Sequence, residues 1–252
     1  MKKIVKVLAL AAMLVMGGQA MAQTRGAMFL SASFPLKDYA DFDSFDDFAL
    51  TSIDLDDDDA GAGIGFNVGL RWYFNVGVKG LGVMLSVDGI YNGPTSDLKT
   101  AYRKNEVYYG GQLIGSGLEY KATPKYINVP AMIGANYIFY INPSFGIYVE
   151  AGAGGNARFI TDMEYVTKTH IGNFEANTKV TNDYDAAFSF AYQVGAGIEV
   201  AKNLVVGCSF YDLGKADVKG ERVVKGTSNT STIETWGNVH PMMIMARIGF
   251  SF

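Results

Sequence analysis

From residue 25 to the last residue, apolar side chains return at every second position in eight separate segments, a period that suits strands and excludes amphipathic helices. In Gly61 to Asn75, the residues Ile64, Phe66, Val68, Leu70, Trp72 and Phe74 share one parity, while Gly63, Gly65, Asn67, Gly69, Arg71 and Tyr73 share the other. Leu81 to Asn92 sets Leu81, Val83, Leu85, Val87 and Tyr91 against Gly82, Ser86 and Asp88. Lys125 to Tyr140, Phe145 to Phe159, Ala187 to Val200, Leu204 to Gly214 and Met242 to Phe252 alternate in the same way, and Arg25 to Leu36 is the least regular. Residues 126–149 carry no charge and invite a helix, but Pro130, Asn136, Asn142, Pro143 and Gly146 interrupt them. Two strands of a hairpin are expected there instead.

The connections between these segments sort by length. Short ones fall at Asn75 to Gly80, Ile141 to Ser144 and Ala201 to Asn203, and long ones at Lys37 to Ala60, Gly93 to Pro124, Ile160 to Asp185 and Lys215 to Gly237. An even strand count with short links on one side and long links on the other describes an all-β fold. It is an eight-stranded antiparallel up-and-down transmembrane β-barrel with short periplasmic turns and long extracellular loops. A β-sandwich has no reason to segregate its connections in this way.

The placement of charge agrees with this reading. Arg71, Asp88, Glu150, Arg158, Glu199 and Arg247 all share parity with glycines and small polar residues, so they belong in a narrow lumen. The opposite parity then faces lipid, and closure of the sheet pairs backbone groups that hydrocarbon cannot solvate. An eight-stranded barrel has room inside for side chains and little more. The six charges are therefore expected to plug the lumen and pair by level: Arg71 with Glu199 near the periplasmic end, Glu150 with Arg247 higher, and Asp88 with Arg158 in the outer half. Aromatic residues near the turn ends (Trp72, Tyr73, Phe74, Tyr137, Phe139, Tyr140, Phe250 and Phe252) are expected to form an interfacial girdle.

Composition closes off several function classes. Charged residues make up 18% of the chain, below the roughly 25% usual for soluble domains. The single cysteine, Cys208, excludes an intramolecular disulfide and a cysteine zinc site, and two histidines, His170 and His240, leave little scope for a metal centre. Lys2, Lys3 and Lys6, the apolar run Val7 to Met16 and the site Ala20-Met21-Ala22 have the three zones of a secretory signal peptide. Residues 1–22 are expected to be cleaved, leaving 23–252 as the barrel domain. Cleavage removes three lysines and makes the net charge more negative than the −4 of the whole chain, so nucleic acid is not an expected partner. No cofactor is expected.

Much of the acid has one address. Lys37 to Ala60 carries ten aspartates and one lysine, which favours an extended, solvated loop. Asp54, Asp56 and Asp58 alternate within it and are the candidates for a divalent cation or for cation-bridged lipopolysaccharide, although the glycine and terminal glutamate of an EF-hand are missing. Phe42, Phe45 and Phe48 recur every third residue, the spacing of a short rim helix or a local apolar cluster. No serine–histidine signature accompanies His170 or His240, so no catalytic residue is assigned. A lipid A-modifying enzyme and a small channel for hydrophobic solutes remain the alternative readings.

The segment Ile244 to Phe252 ends the chain on a phenylalanine, with Ile248 and Phe250 at alternate positions before it. It resembles the C-terminal signal of bacterial outer-membrane β-barrel proteins, which the barrel assembly machinery reads. The chain from residue 23 onward resembles the small outer-membrane barrel family related in architecture to OmpA and OmpX, and Lys125 to Pro130 resembles a strand start of Bacteroidetes barrels. The resemblance implies a bacterial outer-membrane location and contact with outer-membrane lipid and lipopolysaccharide. It also implies a structural or surface-interaction role in envelope integrity, adhesion or ligand contact through the extracellular loops.

Overall fold

The computed structural model describes residues 24–36, 39–42, 62–94, 103–109, 112–171, 174–201, 203–226 and 230–252. In chain order its strands are β1 (Thr24–Pro35), β2 (Ala40–Phe42), β3 (Ala62–Asn75), β4 (Leu81–Pro94), β5 (Arg103–Tyr109), β6 (Gln112–Ala122), β7 (Tyr126–Asn142) and β8 (Phe145–Ile160). They continue with β9 (Met163–Ile171), β10 (Phe174–Tyr184), β11 (Ala187–Val200), β12 (Leu204–Asp212), β13 (Ala216–Lys225), β14 (Thr230–Val239) and β15 (Met242–Ser251). Eight of them close into an antiparallel barrel in the order β1-β15-β12-β11-β8-β7-β4-β3, with β3 returning to β1. These are the eight segments that the alternation picks out.

Closure leaves no edge in the ring, so every barrel strand has two hydrogen-bonded neighbours. The outward parity is apolar and fully presented: Ile64 is 72% exposed, Phe188 76% and Leu30 55%. Such a band is stable only against hydrocarbon. No helix among the described residues is long and apolar enough to cross a membrane. The uncharged stretch 126–149 is indeed a hairpin, β7 and β8, turning at Pro143 and Ser144. There the Asn142 side-chain oxygen accepts from the Ser144 amide at 2.8 Å. In the first short turn, Gly77 and Gly80 adopt φ of 85° and 84°, a left-handed backbone that a side chain resists.

Three expectations need correction. First, the long connections are largely β-structure: a second, seven-stranded sheet runs β2-β14-β13-β10-β9-β6-β5. Each of its strands except β2 and β5 joins a barrel strand after a break of two or three residues, and the order repeats that of the ring. The sheet is the barrel wall carried upward past a rim, and among the described residues no strand stands above β3.

Second, the start of the acidic segment is not solvated. Tyr39 is buried, its carbonyl accepts from the His240 amide at 3.0 Å, and β2 pairs with β14. Phe42 therefore lies in a strand rather than a helix, and Phe45, Phe48, Asp54, Asp56 and Asp58 fall outside the described residues. Third, the inward parity carries large apolar side chains as well as polar ones. Ile90, Tyr126, Met132, Met243 and Met245 of the barrel join Met163, Tyr165, Val180, Tyr184, Val218 and Val239 of the extension in one buried cluster.

Candidate functional site

Below that cluster, four strands deliver charge to one level of the lumen. Arg71 comes from β3, Asp88 from β4, Glu150 from β8 and Arg247 from β15, each on the inward parity and each buried. Arg71 Nη1 lies 3.0 Å from Asp88 Oδ2. Glu150 Oε1 is shared, at 2.7 Å from Arg247 Nη1 and 3.7 Å from Arg71 Nε. Neutral partners take most of the group's other polar atoms, while Arg247 Nη2 is buried with no hydrogen-bond partner. Asn67 donates to Asp88 Oδ1 at 3.0 Å, Tyr211 to Asp88 Oδ2 at 3.2 Å, Tyr73 to Glu150 Oε2 at 3.3 Å and Gln193 to Glu150 Oε1 at 3.4 Å. Arg71 Nη2 donates to Gln193 at 3.2 Å, and Arg247 Nε to the Tyr148 hydroxyl at 3.2 Å. Both guanidinium groups also lie over the Phe29 ring, at 5.6 and 5.0 Å from its centre.

Glycines make the room. A Cβ on Gly69 would sit 2.2 Å from Asp88 Oδ1, and one on Gly195 would sit 2.8 Å from Arg247 Nη2. Long charged side chains cross the narrow lumen because the wall opposite them has no side chain to meet.

The structure groups the six lumen charges differently from the expected levels. Glu150 and Arg247 are joined, but Asp88 pairs with Arg71 rather than with Arg158. Glu199 lies at the turn end and binds Arg25, Nη2 to Oε2 at 2.6 Å. That pair borders a vestibule of about 670 Å³ also lined by Lys79, Tyr140 and Asn142. Arg158 meets no carboxylate among the described residues. Its nitrogens donate to the Asn128 side chain (3.1 Å) and to the carbonyls of Val239 (2.7 Å), Leu213 (3.3 Å) and Gly214 (3.0 Å). The guanidinium thus ties β8 to both feet of the β13–β14 hairpin.

The sequence reading placed Tyr73 in the interfacial girdle, whereas its hydroxyl turns inward onto Glu150, and it gave no role to Arg25, Tyr148, Gln193 and Tyr211. Their signal was present, since each shares the inward parity of its strand.

At the rim, His240 Nε2 is 3.0 Å from Asp212 Oδ1, which also accepts from the Gly214 amide at 2.8 Å. His170 lies in β9, opposite Glu175 and Gly115 in register. Cys208 is exposed on the outward parity of β12. Among the described residues, no group of three or more histidine, cysteine or acidic side chains is arranged to hold a metal ion. Phe252 follows β15 and exchanges two backbone hydrogen bonds with Gly26, both 2.9 Å. Its ring lies where a Cβ on Gly26 would be.

No curated protein matches the chain. Among solved structures it is similar to the outer membrane protein OprG from Pseudomonas aeruginosa, with 13% identity, 92% of this chain and 96% of that one covered, and a TM-score of 0.45. It is also similar to Ail, the attachment invasion locus protein of Yersinia pestis, at 15% identity over 92% of this chain and 100% of that one, with a TM-score of 0.35. A major outer membrane protein from Thermus thermophilus is 8% identical over 89% of this chain and 99% of that one, with a TM-score of 0.39. The sequence model of the outer membrane protein beta-barrel domain matches residues 8–251. With a closed eight-stranded ring and an apolar exterior, that match over nearly the whole chain assigns the protein: it belongs to the outer membrane protein β-barrel domain family and resides in the outer membrane.

Proposed function

We propose that the protein is a non-conducting scaffold that holds a β-sheet clear of the membrane for surface contact, in adhesion, ligand contact or support of the envelope. The observation that carries this reading is the buried Arg71–Asp88–Glu150–Arg247 group, which spans the lumen and is covered above by the apolar cluster. A water-filled path would have to break ion pairs that are sealed from solvent on both sides. Purified protein in planar bilayers is expected to give no steady conductance, and a persistent open level would overturn the plug.

The exposed apolar band contacts lipid and the hydrocarbon portion of lipopolysaccharide. Ile248, Phe250 and Phe252 present the signal for the barrel assembly machinery. For Asp54, Asp56 and Asp58 a hydrated acidic segment is the favoured reading and a divalent-cation site the alternative; calorimetric titration with calcium that gives heat with the wild type and none with Asp56→Asn/Asp58→Asn would support the alternative. We read the protein as non-catalytic. His240 turns Nε2 toward Asp212, and no serine or cysteine is found hydrogen-bonded to it among the described residues. Deacylation of lipid A that disappears in His240→Ala would overturn this.

A further inference from the structure

The two halves of the interior differ in charge. Toward the turn end, Arg71 and Arg247 meet Asp88 and Glu150 one for one. Above the rim the described residues bury Arg222 and, just below it, Arg158, with no buried carboxylate on the inward parity beside either. Asp212, at the rim, is on the outward parity and is engaged by His240. Arg158 has four acceptors, as described above. Arg222 has one: its Nε donates to Asn182 Oδ1 at 3.3 Å.

Arg222 stands on the inward parity of β13 and is only 5% exposed. It lies opposite Asn182 of β10, which in turn lies opposite Met163 of β9. The next inward residue on β9 is Tyr165, close enough for the Arg222 charge to act on its hydroxyl. The Asn182 amide is itself committed, to the Tyr184 hydroxyl at 3.4 Å. Two residues beyond Tyr165, the buried Thr167 hydroxyl has no partner. A guanidinium carries five N–H donors in a planar fork. Here the four on the two terminal nitrogens have no acceptor among the described residues, and unlike Arg247 Nη2 those nitrogens are not shut off from solvent.

We propose that Arg222 is the core of an anion site inside the extracellular sheet, which takes a small oxyanion such as sulfate or phosphate on the two terminal nitrogens of the guanidinium. Asn182 is the positioning residue, fixing the plane of the fork through Nε. Bidentate contact of this kind suits tetrahedral and planar oxyanions and gives charge-assisted hydrogen bonds. The site is independent of whether the lumen conducts.

Equilibrium dialysis of the full folded chain in detergent, with radiolabelled sulfate at constant ionic strength in chloride, tests it. The wild type is expected to show one saturable class of site, with sulfate displaced by phosphate. Arg222→Gln is expected to weaken binding more than about tenfold, the loss of a charged hydrogen-bonding partner. Lys225→Gln, at an exposed lysine on the same strand, is expected to leave binding unchanged. Should Arg222→Gln fail to fold, Arg222→Lys keeps the cation but loses the fork, and is expected to weaken binding severalfold. No saturable binding by the wild type would overturn the proposal. So would undiminished binding in the folded Arg222 variant, or an equal loss in Lys225→Gln.

Discussion

At the scale of single residues, the lumen rests on one shared carboxylate. Glu150 serves two guanidinium groups, so Glu150→Gln leaves Arg71 with Asp88 but strips Arg247 of its one ion pair among the described residues. Breaking a buried pair in this way costs about 3–5 kcal/mol, and denaturant unfolding in detergent, followed by tryptophan fluorescence, is expected to register a loss of that order. Glycines supply a finer test. Gly69→Ala drives a methyl group into the Asp88 carboxylate, whereas Gly155 has nothing within 4 Å of where a Cβ would stand. The first substitution is expected to cost about 1–3 kcal/mol by overpacking, and Gly155→Ala to be neutral within error on the same unfolding curves. Parity alone put six charges on the inward face and passed over a seventh, Arg25, at the turn end. It did not find their partners, because a tilted, staggered wall brings together residues that are not level in sequence count. Arg71 lies directly opposite Ser86 and reaches Asp88 along a diagonal.

At the scale of elements, the barrel strands were legible and the extension was not. Lipid imposes an unbroken apolar face on one side of a strand, and eight such faces stand out in the sequence. Above the rim water replaces lipid, and strands such as β13 alternate Ala216 and Val218 with Asp217 and Lys219 over a short run. The glycines and polar residues between them read as loop. What fastens these strands to the barrel is testable. Arg158→Met removes the donors that hold the carbonyls of Leu213, Gly214 and Val239. Limited trypsin digestion is then expected to cut faster at Lys219 and Lys225 while the barrel core persists as a protected fragment. The extension is also expected to respond to alkali before the barrel does. Burial pushes the Tyr165 hydroxyl from 10.0 up to about 12, against the pull of Arg222. A group raised in the folded state supports folding fully below the unfolded value and loses that support as pH rises, here between about 10 and 12. Tyrosinate absorbance with parallel proteolysis checks this, and Tyr165→Phe should blunt the response.

At the scale of the whole molecule, ring closure depends on the last strand. Phe252 meets Gly26 through two hydrogen bonds at the seam between β15 and β1. Deleting Phe252 is expected to lower the fraction of protein that reaches the membrane folded, read as loss of the compact band on unheated gels. That pair extends the β1–β15 register by one step beyond Ala27 and Ser251. The breaks at the rim have a mechanical consequence. A strand that runs on without interruption passes force along its length, while one interrupted for two or three residues yields at the interruption. β6, β9, β10, β13 and β14 each meet their barrel strand across such a break, so a force applied from outside is absorbed at the rim. Amide exchange should follow that division, slow around the closed ring and faster in the extension sheet.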